Sequence, residues 1–392
     1  MDYTVFLWIS IIILSTKILG VLCKKIDLPE VVGFLIAGII LGPTCLNIIT
    51  LTGDNGTFLE DASELGVIFL MFSAGLTTEM DEMRKNIGAS LVTAIVGVAV
   101  PFIGGLVSFT CFYHADMSDY NQMLEGLFMG VVLTATSVSI TVQTLRELGK
   151  LGGRVGTTIL GAAVIDDILG IVVLTIVSSL KDTSVSVGSI FIKIAMYVVV
   201  ILILFFVTIK FEPVIDGADK KRRAGLYAIA FALLLAYISE EFFGIADITG
   251  AYFAGLMLSL SKTSEYIENK VENVTNMFFG SIFFACIGIK VSFGGMDAST
   301  WVFAIIFTLV AILTKVVGCG LGAKCCKLNW KESLQVGVGM ISRGEVALIV
   351  ADKGRAYGIV SDAMFPPVVV MVIITTLVTP ILLKLVFKKE EA

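Results

Sequence analysis

Asp166 and Asp167 stand side by side near the middle of a long apolar run, Thr157-Thr-Ile-Leu-Gly-Ala-Ala-Val-Ile-Asp-Asp-Ile-Leu-Gly-Ile-Val-Val-Leu-Thr175. An ionised carboxylate at a bilayer midplane costs roughly 3 kcal/mol on insertion scales and more by simulation. Two in succession imply that something binds or titrates there. Neighbours on a helix point about 100° apart, so the two acids cannot face one partner together. One can face a fixed countercharge while the other faces a water-filled cavity. The chemistry that suits this arrangement is competition between a cation and a proton for one carboxylate.

Three further polar groups interrupt apolar spans. Lys315 is central in Ala311-Ile-Leu-Thr-Lys315-Val-Val-Gly318, and a charged group at that depth needs an opposite charge; Asp166 is the partner expected. Thr134-Ala-Thr-Ser137-Val-Ser139-Ile-Thr141 is a run of hydroxyls. Hydroxyls satisfy backbone groups freed where a helix unwinds, and broken helices offer carbonyls and helix ends to ions. Ordinary interhelical hydrogen bonding accounts for such a run equally well. The third group is Ser342-Arg343-Gly344-Glu345. Arg343 and Glu345 are two apart, so a regular helix does not face them together, and the glycine between them points to a break or to close packing.

The elements that must hold these groups are membrane helices. The 392 residues are 57% hydrophobic and 16% charged, with mean hydropathy +0.96; a soluble domain carries about 25% charged residues. Thirteen apolar spans are read, at about 3–22, 26–44, 62–78, 87–113, 122–145, 155–180, 186–210, 224–239, 243–260, 274–291, 300–323, 333–352 and 363–388. Most meet the ~17–25 residues that a crossing needs, and the first is expected to be retained rather than cleaved. The connections are short. The longest inner ones, Phe211–Arg223 and Ser261–Val274, read as polar loops. Counting Lys and Arg between spans places twenty on one side and four, Lys181, Lys290, Lys353 and Arg355, on the other, with Lys17, Lys193, Lys315 and Arg343 inside spans. By the positive-inside rule this predicts an outside N-terminus, a cytoplasmic C-terminus and multi-pass insertion in the cell membrane.

One stretch recurs. Glu30-Val-Val-Gly33-Phe-Leu-Ile-Ala37-Gly38-Ile-Ile-Leu41 aligns without gaps on Asp247-Ile-Thr-Gly250-Ala-Tyr-Phe-Ala254-Gly255-Leu-Met-Leu258, at a constant offset of 217. The second and ninth spans run in opposite directions, so the match predicts an inverted repeat, a common plan of secondary transporters.

Other patterns carry less. The seven cysteines lie in or beside apolar spans, and no Cys-x-x-Cys pair occurs that would indicate zinc or a disulfide framework. His114, the single histidine, reads as a solvated loop residue. Gly318-Cys-Gly320-Leu-Gly322 follows no strand and reads as helix packing rather than a nucleotide loop. Glu30 and Asp247 read as capping acids near span ends. Neither the Gly-x-Gly-Asp of an intramembrane aspartyl protease nor a Thr-Val-Gly-Tyr-Gly filter occurs, so an enzyme and a potassium channel are not expected. No cofactor and no nucleic-acid partner are expected either. The nearest rival is a sodium-coupled symporter of a small organic solute, with the aspartates as sodium ligands. Such a site needs a larger polar cavity and a basic group for the solute.

Taken in order, Leu35-Ile-Ala-Gly38, Leu41-Gly-Pro43, Phe69-Leu-Met-Phe-Ser-Ala-Gly75-Leu, Thr134-Ala-Thr-Ser137, Val164-Ile-Asp166-Asp167, Leu313-Thr-Lys315 and Ser342-Arg-Gly-Glu345-Val-Ala resemble the monovalent cation:proton antiporters, in the branch of the NapA-type sodium/proton exchangers and the Kef potassium efflux proteins. The resemblance implies an all-α membrane protein of NhaA/NapA-like fold, with thirteen transmembrane helices, spans five and twelve broken and crossing, and a homodimer. It implies a scaffold at 1–80 and 224–298, a transport core at 81–182 and 299–392, and a linker helix within 183–223. Asp167 would be the principal carboxylate for Na⁺, Li⁺ or K⁺ and for the proton, transiently ligating the metal ion together with Asp166. Asp166 would pair with Lys315, Thr134, Thr136 and Ser137 would lie at the crossing, and Arg343 and Glu345 would hold the core together. Retention of both aspartates and the lysine resembles the electrogenic members. The cytoplasmic nucleotide-binding extension of the Kef proteins is not expected.

Overall fold

A computed structural model of the chain describes residues 3–26, 28–78, 80–181, 187–216, 221–290 and 296–388. No strand occurs among them. The helices are α1 (Thr4–Lys25), α2 (Glu30–Leu41), α3 (Gly53–Leu76), α4 (Met80–Tyr113), α5 (Tyr120–Thr134), α6 (Val138–Glu147), α7 (Arg154–Lys181), α8 (Val187–Asp216), α9 (Lys221–Phe243), α10 (Asp247–Leu258), α11 (Ser264–Val274), α12 (Gly280–Ile289), α13 (Ala298–Cys325), α14 (Trp330–Gly339), α15 (Glu345–Ala356) and α16 (Phe365–Lys388).

Nine helical runs among the described residues are long and apolar enough to cross a membrane. The remaining expected spans depart from the ideal for visible reasons. α2 and α10 have 12 residues each, about 18 Å at 1.5 Å per residue. The first half of α3 carries Asp54, Glu60, Asp61 and Glu64, and α14 and α15 are separated by an unwound segment. Faces that a soluble protein would bury are bare. α8 exposes Phe191, Ile192, Val199, Leu202 and Phe206, which is the natural state of a helix solvated by lipid rather than water.

Two connections differ from the sequence expectation. The inner segment Ser261–Val274 is mostly helix, because α11 buries Ile267 and Val271 at the i, i+4 spacing of one helical face. Its high polarity hides that stripe from a reading by hydropathy alone. A π-turn at Thr275–Phe279 then joins α11 to α12. Similarly, α8 runs on to Asp216 and α9 begins at Lys221, so most of the segment read as a loop at Phe211–Arg223 is helical; 217–220 lie outside the described residues. Span eight, read as 224–239, is the longer α9. A capping box starts α14: Glu332 N donates to Asn329 Oδ1 at 2.8 Å and Asn329 N to Glu332 Oε2 at 2.8 Å, satisfying two orphan amides.

The recurring stretch behaves alike in its two copies. α2 and α10 begin at the aligned acids, Glu30 and Asp247, and end at the aligned leucines, Leu41 and Leu258. α2 packs on α12 and α10 packs on α3, and each contact is made through the aligned glycine. A Cβ on Gly38 would lie 2.0 Å from Ala285 O, and one on Gly255 would lie 2.1 Å from Phe72 O. Small residues let membrane helices approach backbone to backbone. Gly255→Val is therefore expected to cost about 1–3 kcal/mol or more, the range for overpacking. Lower melting temperature and loss of monodisperse detergent-purified protein would show it; unchanged melting would mean that the two helices separate freely.

Candidate ion- and proton-exchange site

The site is built where two interrupted helices meet. α5 ends at Thr134, and the chain is extended at Ala135 (ψ 140°) and Ser137 (ψ 106°) before α6 starts. α14 ends at Gly339 and α15 begins at Glu345. Unwound backbone at this depth must find partners inside the protein, and the two breaks partner each other. Ser137 N donates to Ser342 O at 2.8 Å, Ser342 Oγ donates to Ser137 O at 2.6 Å, and Thr141 Oγ1 donates to Gly339 O at 2.7 Å. The hydroxyl run therefore fastens the crossing. Ser137 Oγ lies 3.2 Å from Ser139 Oγ, and Thr134 Oγ1 donates back to Val131 O at 2.7 Å.

Arg343 is fully buried at this crossing. Its guanidinium donates to Leu133 O at 2.7 Å and to Met340 O at 3.3 Å, carbonyls at the C-terminal ends of α5 and α14. A cation there complements the negative end of each helix dipole. Thr375 and Thr376 of α16 hold its backbone, the former accepting from Arg343 N at 3.2 Å and the latter donating to Arg343 O at 2.6 Å. The Glu345 side chain lies outside the described residues.

The two aspartates point apart, as adjacent helix residues must. Asp166 is 1% exposed and Lys315, from α13, is wholly buried. Lys315 Nζ sits 2.9 Å from Asp166 Oδ1 and 3.2 Å from Oδ2, and Thr136 Oγ1 donates to Oδ2 at 2.6 Å. The pair expected from the sequence is present, with a hydroxyl from the α5–α6 break as third member. Hydrogen bonds to charged groups contribute about 1.5–3 kcal/mol, so Thr136→Val should lower stability by that order in a thermal melt; an unchanged melt would mean that Lys315 alone satisfies Asp166.

Asp167 is only half buried. It lines a cavity of about 160 Å³ together with Asp166, Thr134, Gly170, Glu240 and Val346. The wall continues along α7 through Ile171 and Leu174 and includes the α9–α10 turn, so the cavity lies on the side of the crossing toward which α7 and α15 end. Glu240 was not legible as a site residue: an acid at the end of an apolar span is indistinguishable by sequence from an interfacial one. Glu30 and Asp247 are the first residues of α2 and α10, and the N-cap positions belong to Pro29 and Ala246. Glu30 accepts from Lys24 Nζ at 2.9 Å, and Asp247 Oδ1 accepts from Ile248 N at 2.7 Å. No cluster of three or more His, Cys, Asp or Glu suited to a resident metal occurs among the described residues.

The family profile described as "Sodium/hydrogen exchanger, transmembrane" matches residues 10–389. The chain belongs to the sodium/hydrogen exchanger family. It is a multi-pass membrane protein. Among relatives of this exchanger, the Na(+)/H(+)-K(+) antiporter GerN of Bacillus cereus is 38% identical over 395 residues, spanning 100% of this chain and 98% of GerN. The Na(+)/H(+) antiporter of Enterococcus hirae is 32% identical over 389 residues, covering 98% of both. The solved sodium proton antiporter MjNhaP1 of Methanocaldococcus jannaschii superposes with a TM-score of 0.72 at 18% identity, over 97% of this chain and 96% of MjNhaP1, which establishes the shared fold.

Proposed function

We propose that this exchanger is a secondary active antiporter that moves Na⁺, or Li⁺ or K⁺, against H⁺ by alternating access. One observation carries the reading: both aspartates border one cavity, where Asp166 is 1% exposed and held by Lys315 and Thr136, while Asp167, one residue on, is the more exposed of the two. The first carboxylate is a fixed charge and the second is the exchange group. A proton and a desolvated cation exclude each other at Asp167, so each leaves productively only when the other replaces it. Thr134, Thr136 and Ser137 bring hydroxyls and unwound backbone beside that group, and Arg343 keeps the crossing rigid.

In this reading, α1–α3 and α9–α12 form a scaffold, α4–α7 and α13–α16 form the moving core, and α8 links them. The matched contacts α2–α12 and α3–α10 support an internal inverted repeat. The bare apolar faces leave room for a homodimer in the cell membrane. With the N-terminus outside and the C-terminus cytoplasmic, the cavity at Asp167 opens outward. Rocking of the core against the scaffold would expose the same carboxylate to the cytoplasm. Exchange is electrogenic, with more protons than cations moved per cycle, so voltage contributes about 2.3 kcal/mol per charge per 100 mV. A symporter of an organic solute is disfavoured: the cavity is small, and Lys315 and Arg343, the basic groups near it, both have partners.

The test is a proteoliposome assay with an internal pH dye. Addition of Na⁺, Li⁺ or K⁺ should move protons outward, faster under a favourable imposed potential. Folded protein that moves no protons with any of the three would overturn antiport.

A further inference from the structure

Among the described residues, α6 contributes none to the lining of the cavity at Asp167. α6 leaves the crossing at Val138 and ends at Glu147. α7 starts shortly after that end, at Arg154, so the cavity-lining half of α7 lies opposite. Residues from Val138 to Leu145 are all buried, yet one face of α6 is polar throughout. Ser139, Gln143, Arg146 and Glu147 follow at steps of three and four, which aligns them along one side of the helix. The stripe begins at the crossing, where Ser139 Oγ meets Ser137 Oγ, and ends about 12 Å away at 1.5 Å per residue.

Its far end is docked on other helices. Glu147 Oε2 accepts from Glu30 N, the first amide of α2, at 2.8 Å. Arg146 Nη2 donates to Ser73 Oγ of α3 at 2.9 Å, and Glu268 and Glu272 of α11 are near enough to interact with its charge. Gln143 Nε2 holds the second Glu147 oxygen at 3.2 Å. Among the described residues, two buried atoms on the stripe have no partner, Gln143 Oε1 and Arg146 Nη1. Buried polar atoms without partners are costly and are relieved when water reaches them. A stripe that served packing alone would be apolar or would have its polar atoms paired across helices. One that is polar, partly unsatisfied and pinned at its end by directional hydrogen bonds is suited to being wetted when those bonds break.

We propose that Ser139, Gln143, Arg146 and Glu147 line the second half of the ion path, shut here by the docking of Arg146 and Glu147 on α3 and α2. The inference rests on the two-unit reading above, because α2 and α3 must part from α6 for the path to open. In the proposed orientation it is the cytoplasmic half, and these are positioning residues that set which side Asp167 faces.

Reciprocal thiol labelling tests this without transport. Cys45, Cys111, Cys325 and Cys326 are replaced by serine, and a single reporter is added to detergent-purified protein. The reporter is Ser139→Cys on the stripe or Ile349→Cys on the cavity wall. A charged methanethiosulfonate reagent should label Ser139→Cys slowly and Ile349→Cys readily. Adding Ser73→Ala or Glu147→Ala should speed the first and slow the second, each about threefold or more. Glu147→Gln, which keeps an acceptor for Glu30 N, should restore most of the parent pattern. No change in either reporter, or a rise in both, overturns the path, the latter because general loosening has no direction. Should Glu147→Ala fail to fold, the mild Ser73→Ala decides alone. Reciprocal labelling in protein that moves no protons would leave the gate standing and remove the antiport.

Discussion

Asp167→Asn is expected to abolish cation-triggered proton movement, lowering the rate by about a hundredfold or more, a barrier change of roughly 2.7 kcal/mol. The amide matches the carboxylate in shape but neither takes up nor releases a proton, and it offers a cation no charge to offset lost hydration. Folding should be spared, because Asp167 is half buried and faces the cavity rather than the core. Elution volume and melting temperature close to the parent's would confirm that. Near-normal exchange in the folded variant would move the exchange chemistry to another group, and Glu240, which lines the same cavity, would be examined next.

Lys315→Ala has a different signature. It strands a carboxylate that is 1% exposed with Thr136 as its remaining described hydrogen-bond donor. Breaking a buried pair by removing one partner costs about 3–5 kcal/mol, whereas replacing both partners by apolar groups is often neutral. The melting temperature should therefore fall sharply in Lys315→Ala and recover in Asp166→Leu/Lys315→Met. A double variant as unstable as the sum of its single changes would show that the two residues do not act as a unit. Exchange by Lys315→Ala protein that still folds should lose its response to membrane potential, since the fixed positive charge that accompanies the site is gone. Voltage-driven exchange with unchanged stability would count against the pair as the origin of electrogenicity.

Much of this was legible from residue types alone. Charge at midspan is so costly in a membrane that Asp166, Asp167, Lys315 and Arg343 announce a site by their presence. The 100° step between helix neighbours requires Asp166 and Asp167 to serve different surroundings. A hydroxyl run and a glycine between two charges mark the two breaks. Hydropathy finds helices that are apolar all round, such as α8, but it passes over α11, whose stripe is only two residues deep, and it cannot see that α2 and α10 stop after 12 residues.

The sequence by itself determined the membrane class and the polar groups that matter, because those follow from composition and from the cost of burying charge, and its ordered motifs carried the family resemblance. Only the tertiary structure decided that both aspartates border one cavity and that Thr136 joins Lys315 on the more deeply buried Asp166, since that depends on where α13 and the α5–α6 break sit relative to α7. It also decided that Glu240 shares the cavity and that Glu147 docks 117 residues away on α2. Such contacts join helices distant in the chain, and no local spacing rule encodes them; they exist only once packing has fixed which faces meet.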